Sequence, residues 1–260
     1  MSHTYGVEFE VIGLDTHESA RAVTRAGITC NPEGYNHETR SNWKTVTDGS
    51  LPAGSSEVVS PILNDDRLNE VKTVTRALLT GGARVTRSAG FHTHFGVEGI
   101  GISNLPTLIT NWYIAHSVTE LLVAPSRRAD GNSSRWARSL TLQDAERVAE
   151  RVSTGRIATG DSARRYESLN LEAFDRHTTI EFRLHQGTLN GKKALAWVEY
   201  LTAFVNHSME GHELSAGSFY RTLAPRNALN VLTDMLTSSG LSESTRDYLL
   251  ARADEIAERV

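Results

Sequence analysis

The sequence predicts an α+β fold, a mainly antiparallel β-sheet with helices on one face, and three observations predict it. A strictly alternating segment opens the chain, hairpin-like strand pairs follow early on, and apolar residues at helical spacing dominate the last third.

In Tyr5-Gly6-Val7-Glu8-Phe9-Glu10-Val11, the residues Tyr5, Val7, Phe9 and Val11 fall on one side and Glu8 and Glu10 on the other, which describes a strand with one buried face. Asp15 followed by Glu18 reads as an N-cap with its reciprocal partner, and Gly27 as a stop, so a short helix is expected over about 16–26. Two further strands flank the Asp48-Gly49-Ser50 turn; the second includes Ser56-Glu57-Val58-Val59 and ends at Pro61. Asn64 is expected to cap a helix in which Leu68, Val71, Leu78 and Leu79 recur at helical spacing before Gly81-Gly82. A strand through Phe91-His92-Thr93-His94-Phe95 sets both histidines on one face and the aromatics opposite. A long helix from Asn104 to about Val123 is broken by Pro125, and the polar stretch Ser126 to Arg135 is expected as a mobile loop, the usual place for substrate gating. Thr141 and Asp144 open a helix to about residue 153. Arg165 to Leu171 then leads into a strand over Thr178-Thr179-Ile180-Glu181-Phe182-Arg183-Leu184, with Ile180, Phe182 and Leu184 inward. Helices follow at about 191–210, near 227–238, and from a Ser242 cap onward. No repeat, linker or low-complexity tract interrupts the chain, so a single domain over 1–260 is expected, its helical portion covering about 191–260. Leu229, Leu232, Met235 and Leu236 suit a core or a homo-oligomer interface, with core the default.

Composition narrows the class. Hydrophobic residues at 39% and charged residues at 22% are ordinary globular usage, which excludes a mainly disordered chain or a coiled coil. No apolar run approaches the roughly 20 residues of a membrane span, and MSHTYGVEFE lacks the apolar core of a secretory signal, so the expected address is cytoplasmic, with no membrane partner. Cys30 is the sole cysteine, which rules out an internal disulfide and a thiolate zinc cluster; nothing local activates it as a nucleophile. The 27 basic and 31 acidic residues leave a net charge of −4, no general reason to bind a nucleic-acid backbone.

The polar faces of the strands carry the chemistry. Glu8 and Glu10 point the same way about 7 Å apart along their strand. Alone, such a pair reads as a solvated sheet face, and His92-Thr93-His94 alone as an exposed pair or a satisfied core histidine. Together, Glu8, Glu10, Glu57, His92, His94 and Glu181 all fall on polar strand faces, and if those faces converge they make a cage for a divalent cation. Hard oxygens with one imidazole suit Mg²⁺ or Mn²⁺ better than zinc. Arg183 shares the face of Glu181, either as a surface ion pair of little worth or as a fixed cation beside metal ligands, the pairing that phosphoryl transfer uses.

These pieces resemble the amidoligase family of the carboxylate-amine ligase superfamily, relatives of glutamine synthetase and glutamate–cysteine ligase. The resemblance runs from Tyr5 to about Trp197. It rests on six fragments in order: Gly6-Val7-Glu8-Phe9-Glu10; Trp43 with Asp48-Gly49-Ser50-Leu51; Glu57-Val58-Val59-Ser60-Pro61; Gly90-Phe91-His92-Thr93-His94; Arg165-Tyr166-Glu167-Ser168-Leu169-Asn170; and Thr179-Ile180-Glu181-Phe182-Arg183 running into Gly187-Thr188. It implies a fold like the catalytic domain of glutamine synthetase and an ATP-dependent ligase that forms an amide through an acyl phosphate. It also implies two or three divalent ions (Mg²⁺ or Mn²⁺) on Glu8, Glu10, Glu57, a histidine and Glu181. His92 matches the metal-binding histidine, and His94 a substrate-side or supporting group. Arg183 is implied to hold the phosphates of ATP or the acyl phosphate, and Arg165 a second phosphate or carboxylate contact. Asp48 and Asn170 are implied to lie near the acceptor or to shape the site. Lys192 and Lys193 could approach nucleotide phosphates or simply open a solvated helix. The extra domain that completes shared sites in full-length glutamine synthetases is not found, so their ring is not carried over; the superfamily does not use a P-loop, and none is present.

The expected partners are a carboxylate and an amine, small molecules or peptides. A modified nucleobase stays among the acceptors. A metal-dependent hydrolase of amide or phosphoester bonds needs the same cage but not ATP, and a catalytically inactive binding module on the same fold is the other alternative.

Overall fold

The computed structural model describes residues 3–97, 102–131, 134–157, 162–215 and 223–258. They form two compact units, one from Ser2–Phe95 with His185–Leu195, the other from Gly96–Leu184 with Ala196–Val260. Strands and helices are mixed, and the strand pairs are mostly antiparallel.

The first unit is built on strands β1 (Tyr5–Ile12), β2 (Cys30–Pro32), β3 (Trp43–Val46), β4 (Ser55–Val59) and β5 (Phe91–Gly96), in the order β2-β3-β4-β1-β5. The pairs are antiparallel except β2 with β3. Alternation along β1 sends Val7, Phe9 and Val11 to one face, where the ring of Phe9 stacks on Phe91 at 4.7 Å and Val58 lies opposite Phe9. Helix α1 (Thr16–Arg25) covers that face. Its capping box at Asp15 and Glu18 forms as expected; Ser19 Oγ meets Ser56 Oγ at 2.8 Å and Thr45 Oγ1 donates to the Thr16 carbonyl at 2.7 Å. Helix α2 (Glu70–Gly81) buries Val71, Val74 and Leu78. Asn64 does cap, but it caps a single 3-10 turn, Asp65–Arg67, and α2 begins later. Leu79 departs from expectation: it stands about 100° around the helix from Leu78 and is 59% exposed. Gly82 closes α2 at φ 103°, a left-handed cap that a side chain would strain. Burial drives the Cys30 thiol up to about 12, so it is a packing residue rather than a nucleophile.

The second unit holds helices α3 (Leu105–Thr119), α4 (Leu142–Ser153) and α5 (Ala173–His177), most of α6 (Gly191–Met209), and α7 (Pro225–Thr237) and α8 (Glu243–Ala257). It also holds the antiparallel pair β6 (Leu169–Asn170) and β7 (Thr179–Phe182). The helix expected to reach Val123 ends at Thr119 and tightens into a 3-10 turn, Glu120–Leu122. Of the loop expected over 126–135, residues 132 and 133 lie outside the described residues; the flanks carry 3-10 turns at Pro125–Arg127 and Ser134–Trp136. Strand β7 starts one residue late because Thr178, at φ 51°, closes α5 with its N–H on the Phe174 carbonyl. Trp112 anchors the core, 4.8 Å from the Phe182 ring and 5.5 Å from Phe204, with Nε1 donating to Ser168 Oγ at 3.0 Å. Leu229, Leu232 and Leu236 are fully buried. No described helix is long and apolar enough to cross a membrane.

Two titrating groups in this unit pull stability in opposite directions. Burial holds the His116 imidazole down at about 4, against an ordinary 6.5, so its contribution is lost as pH falls from about 6.5 to about 4, where only the unfolded chain takes the proton. Burial pushes the Glu167 carboxyl up to about 7 from 4.5, with Arg164 at 3.3 Å only partly opposing; this contribution is lost as pH rises from 4.5 to about 7. Glu167→Gln should therefore gain stability over wild type as pH rises from 4.5 to 7. His116→Asn should lose its deficit, or gain, as pH falls from 6.5 to 4. Each difference should reach a few °C in melting temperature, at about 2–4 °C per kcal/mol. Differences that stay flat with pH would remove both assignments.

Candidate functional site

The strand register of the first unit assembles the polar face. On β1, Glu10 lies opposite Glu57 of β4, Glu8 lies between Val59 and His92 of the flanking strands, and Gly6 lies opposite His94. Antiparallel partners share a face, so Glu8, Glu10, Glu57, His92 and His94 stand together, with Val59 among them. Gly6 leaves room there, since a Cβ at that position would come 3.3 Å from His94 Cβ.

The contacts are close. His92 Nδ1 lies 3.1 Å from Glu8 Oε2 and its Nε2 lies 3.8 Å from Glu10 Oε1, while His94 Nε2 is 3.3 Å from Glu8 Oε1. Glu10 Oε2 accepts from the Gly90 N–H at 2.6 Å, which fixes its orientation. Burial raises the Glu8 carboxyl, but His94 and His92 outweigh it and hold it well below the usual carboxylate range. One donor atom from each of Glu10, Glu57 and His92 fits within 4.8 Å of the others.

This donor set fits a hard divalent cation. A neutral imidazole has one N–H, yet both ring nitrogens of the buried His92 face carboxylate oxygens, so the two contacts are satisfied together either by an imidazolium or by a cation lying between. Opposed ligands on one Mg²⁺ stand at most about 4.2 Å apart at bonds of about 2.1 Å. The 4.8 Å within which the three donors fall exceeds that by about 0.6 Å at most.

The remaining candidates lie elsewhere in the chain. In the second unit Glu181 is 4% exposed; its Oε2 accepts from Asn170 Nδ2 at 2.5 Å, Arg183 Nη1 meets its Oε1, and Asn170 Oδ1 accepts from the Glu172 N–H at 2.9 Å. Arg165 is exposed, lies 4.6 Å over the Tyr166 ring and donates to the Tyr166 hydroxyl at 2.5 Å. In the first unit, Asp48 sits in the turn after β3 with Oδ1 accepting from the Ser50 N–H at 2.6 Å. Lys192 is exposed in the first turn of α6, where Asn190 Oδ1 accepts from the Lys193 N–H at 3.0 Å. So Glu8, Glu10, Glu57, His92 and His94 share the polar face of the first unit, and Glu181, Arg183 and Asn170 are joined by hydrogen bonds within the second.

Sequence reasoning missed Lys44. On β3 it faces Val59, two positions from the Val46–Glu57 pair, so its side chain shares the carboxylate face, and it is 3% exposed. All four residues of β3 are buried, which leaves no alternation to mark it.

A family model described as "putative amidoligase enzyme" matches residues 2–205. The chain belongs to this amidoligase family. Membership places it among amidoligase enzymes and agrees with the six ordered fragments. No curated protein matches the chain. Among solved structures, a bifunctional glutathione synthetase from Pasteurella multocida is similar over 99% of this amidoligase-family chain, at 13% identity and a TM-score of 0.49. The chain spans 48% of that enzyme's length.

Proposed function

We propose that this protein is an ATP- and Mg²⁺-dependent carboxylate-amine ligase on a fold of the glutamine synthetase catalytic-domain type. The observation that carries the reading is the polar sheet face on which Glu8, Glu10 and Glu57 surround the buried His92. In this reading Glu8, Glu10, Glu57 and His92 hold the metal, His94 orients Glu8, and Glu181 contributes a further ligand.

A carboxylate resists attack by an amine. The γ-phosphoryl group of ATP is therefore transferred to the acid, giving an acyl phosphate and ADP. The amine then attacks the carbonyl carbon, phosphate leaves with the carbon–oxygen bond, and a nearby carboxylate takes the amine proton. Divalent cations, when bound, neutralise charge on the phosphoryl oxygens. Arg183 is assigned the same kind of stabilisation at the transferring group, Arg165 and Lys192 outer phosphate contacts, and Asp48 and Asn170 the acceptor side.

The test is an ATP-dependent phosphate-release screen with Mg²⁺ over panels of carboxylates and amines, with products read by mass. A ligase should release ADP and phosphate only with both substrates present, and yield a product lighter than the pair by one water. Hydrolysis that is indifferent to ATP would replace this reading with a metal-dependent hydrolase.

A further inference from the structure

Lys44 has a buried ammonium without a contacting counter-charge. Its Nζ donates to Asn36 Oδ1 and to the Glu38 carbonyl, both at 2.6 Å, and both acceptors are neutral. Among the described residues no carboxylate lies within 4 Å of it: the two loop acids nearby, Glu33 and Glu38, are both taken by Arg40, at 3.0 and 2.6 Å. An ammonium has three N–H donors, so one is left over. What favours the charge at a distance is first the field of Glu33, with Arg40 opposing it, and then that of Glu8 and Glu57 across the same face of the sheet.

That arrangement changes when a divalent cation occupies the carboxylates. The cation cancels the field of Glu8 and Glu57, and Lys44 is then a buried positive charge opposed only by Glu33, which Arg40 already pairs, a state that is costly unless an anion arrives. Filling of the cation site and binding of an anion at Lys44 are therefore linked, each making the other more favourable. Asn36 and Glu38 meet the Lys44 ammonium, so the loop between β2 and β3 is tied to this strand through it.

We propose that Lys44 is an anion anchor of the site, and that its third N–H binds an oxyanion of the substrates, either a carboxylate oxygen or a phosphoryl oxygen. The identity of that oxyanion rests on the ligase reading; the anchoring itself does not. Lys44 then has two tasks, holding the 33–42 loop through two hydrogen bonds and receiving the anion through the third.

The test is calorimetric titration of the Mn²⁺-loaded protein with adenylyl imidodiphosphate in one arm and glutarate in the other, for wild type, Lys44→Gln and Lys44→Arg. Lys44→Gln should weaken one arm by at least about ten-fold, the loss of a hydrogen bond to a charged group, and the arm that weakens names the source of the oxyanion. Lys44→Arg, which keeps the charge, should stay within about three-fold. Mn²⁺ affinity of Lys44→Gln is measured alongside, and a variant with intact Mn²⁺ affinity whose two arms stay within about two-fold of wild type overturns the proposal, as does a wild-type protein that binds neither anion. A lowered melting temperature with both arms unchanged would mean that Lys44 only tethers the loop. Failure of the ligase reading shows separately, as absent ATP-dependent phosphate release, and can occur with the Lys44 result intact.

Discussion

Glu10→Gln should move stability and function in opposite directions. The metal-free protein should melt about 2 °C higher, while Mn²⁺ affinity falls at least about ten-fold and ATP-dependent phosphate release at least about a hundred-fold. The stability gain comes from register. Glu10 lies directly opposite Glu57, and like charges in that position destabilise a strand pair by up to about 1 kcal/mol. A glutamine keeps the oxygen that accepts from Gly90, so the side chain can hold its orientation, and its new amide hydrogens have acceptors in Glu57 and His92. The functional loss comes from the same change, because the amide oxygen is a far weaker ligand than a carboxylate for a hard cation. Calorimetric Mn²⁺ titration and a melting curve in chelator decide it. Unchanged Mn²⁺ affinity would take Glu10 out of the metal site and leave a strained polar face without a purpose.

The parts of the fold that sequence alone specifies are those fixed by neighbours in the chain. The alternation of Tyr5 to Val11 marks β1 because one of its faces is buried, and Asp15 with Glu18 marks the start of α1 because a capping box is a contact across three residues. Gly82 marks the end of α2 for the same reason. Strand β2 escapes such reading: Cys30-Asn31-Pro32 is too short for a pattern, and it exists because Cys30 pairs with Trp43, in parallel, across a loop. Helical spacing also runs unbroken into Glu120–Leu122, since a period of 3.0 cannot be told from 3.6 over three residues.

The site divides along the same line. Each acidic or imidazole pair is visible as a polar strand face, but the pairings Glu10–Glu57 and Glu8–His92 depend on register between strands tens of residues apart. The order of the six fragments, a likeness to other sequences rather than a physical signal in this one, was what pointed to convergence. Lys44 lay beyond both kinds of reading, because only the register shows that a lysine beside Trp43 ends up on the face of Glu57.

Glu181→Gln should abolish turnover, as Glu10→Gln does, but with the opposite effect on stability. Glu181 accepts from two donors, Asn170 Nδ2 on Oε2 and Arg183 Nη1 on Oε1. A glutamine can offer its single oxygen to only one of them, and its amide hydrogens then meet the other donor head-on. Asn170 cannot turn over freely to relieve this, since its own oxygen holds the Glu172 N–H. Arg183, mostly buried, also loses its counter-charge. Removing one partner from such a contact costs about 1–3 kcal/mol, or roughly 2–10 °C of melting temperature for a chain of this size. The fold should survive, as the volume of the side chain is unchanged and no core cavity opens. Phosphate release measured at limiting Mg²⁺ checks the functional half, and full turnover there would remove Glu181 from the mechanism. The pair of variants tests the proposal more sharply than either alone. Two carboxylates assigned the same task should fail alike in catalysis and differ in the sign of their stability change, because Glu10 lies directly opposite a like charge in its strand pair whereas Glu181 is held by an amide and a guanidinium.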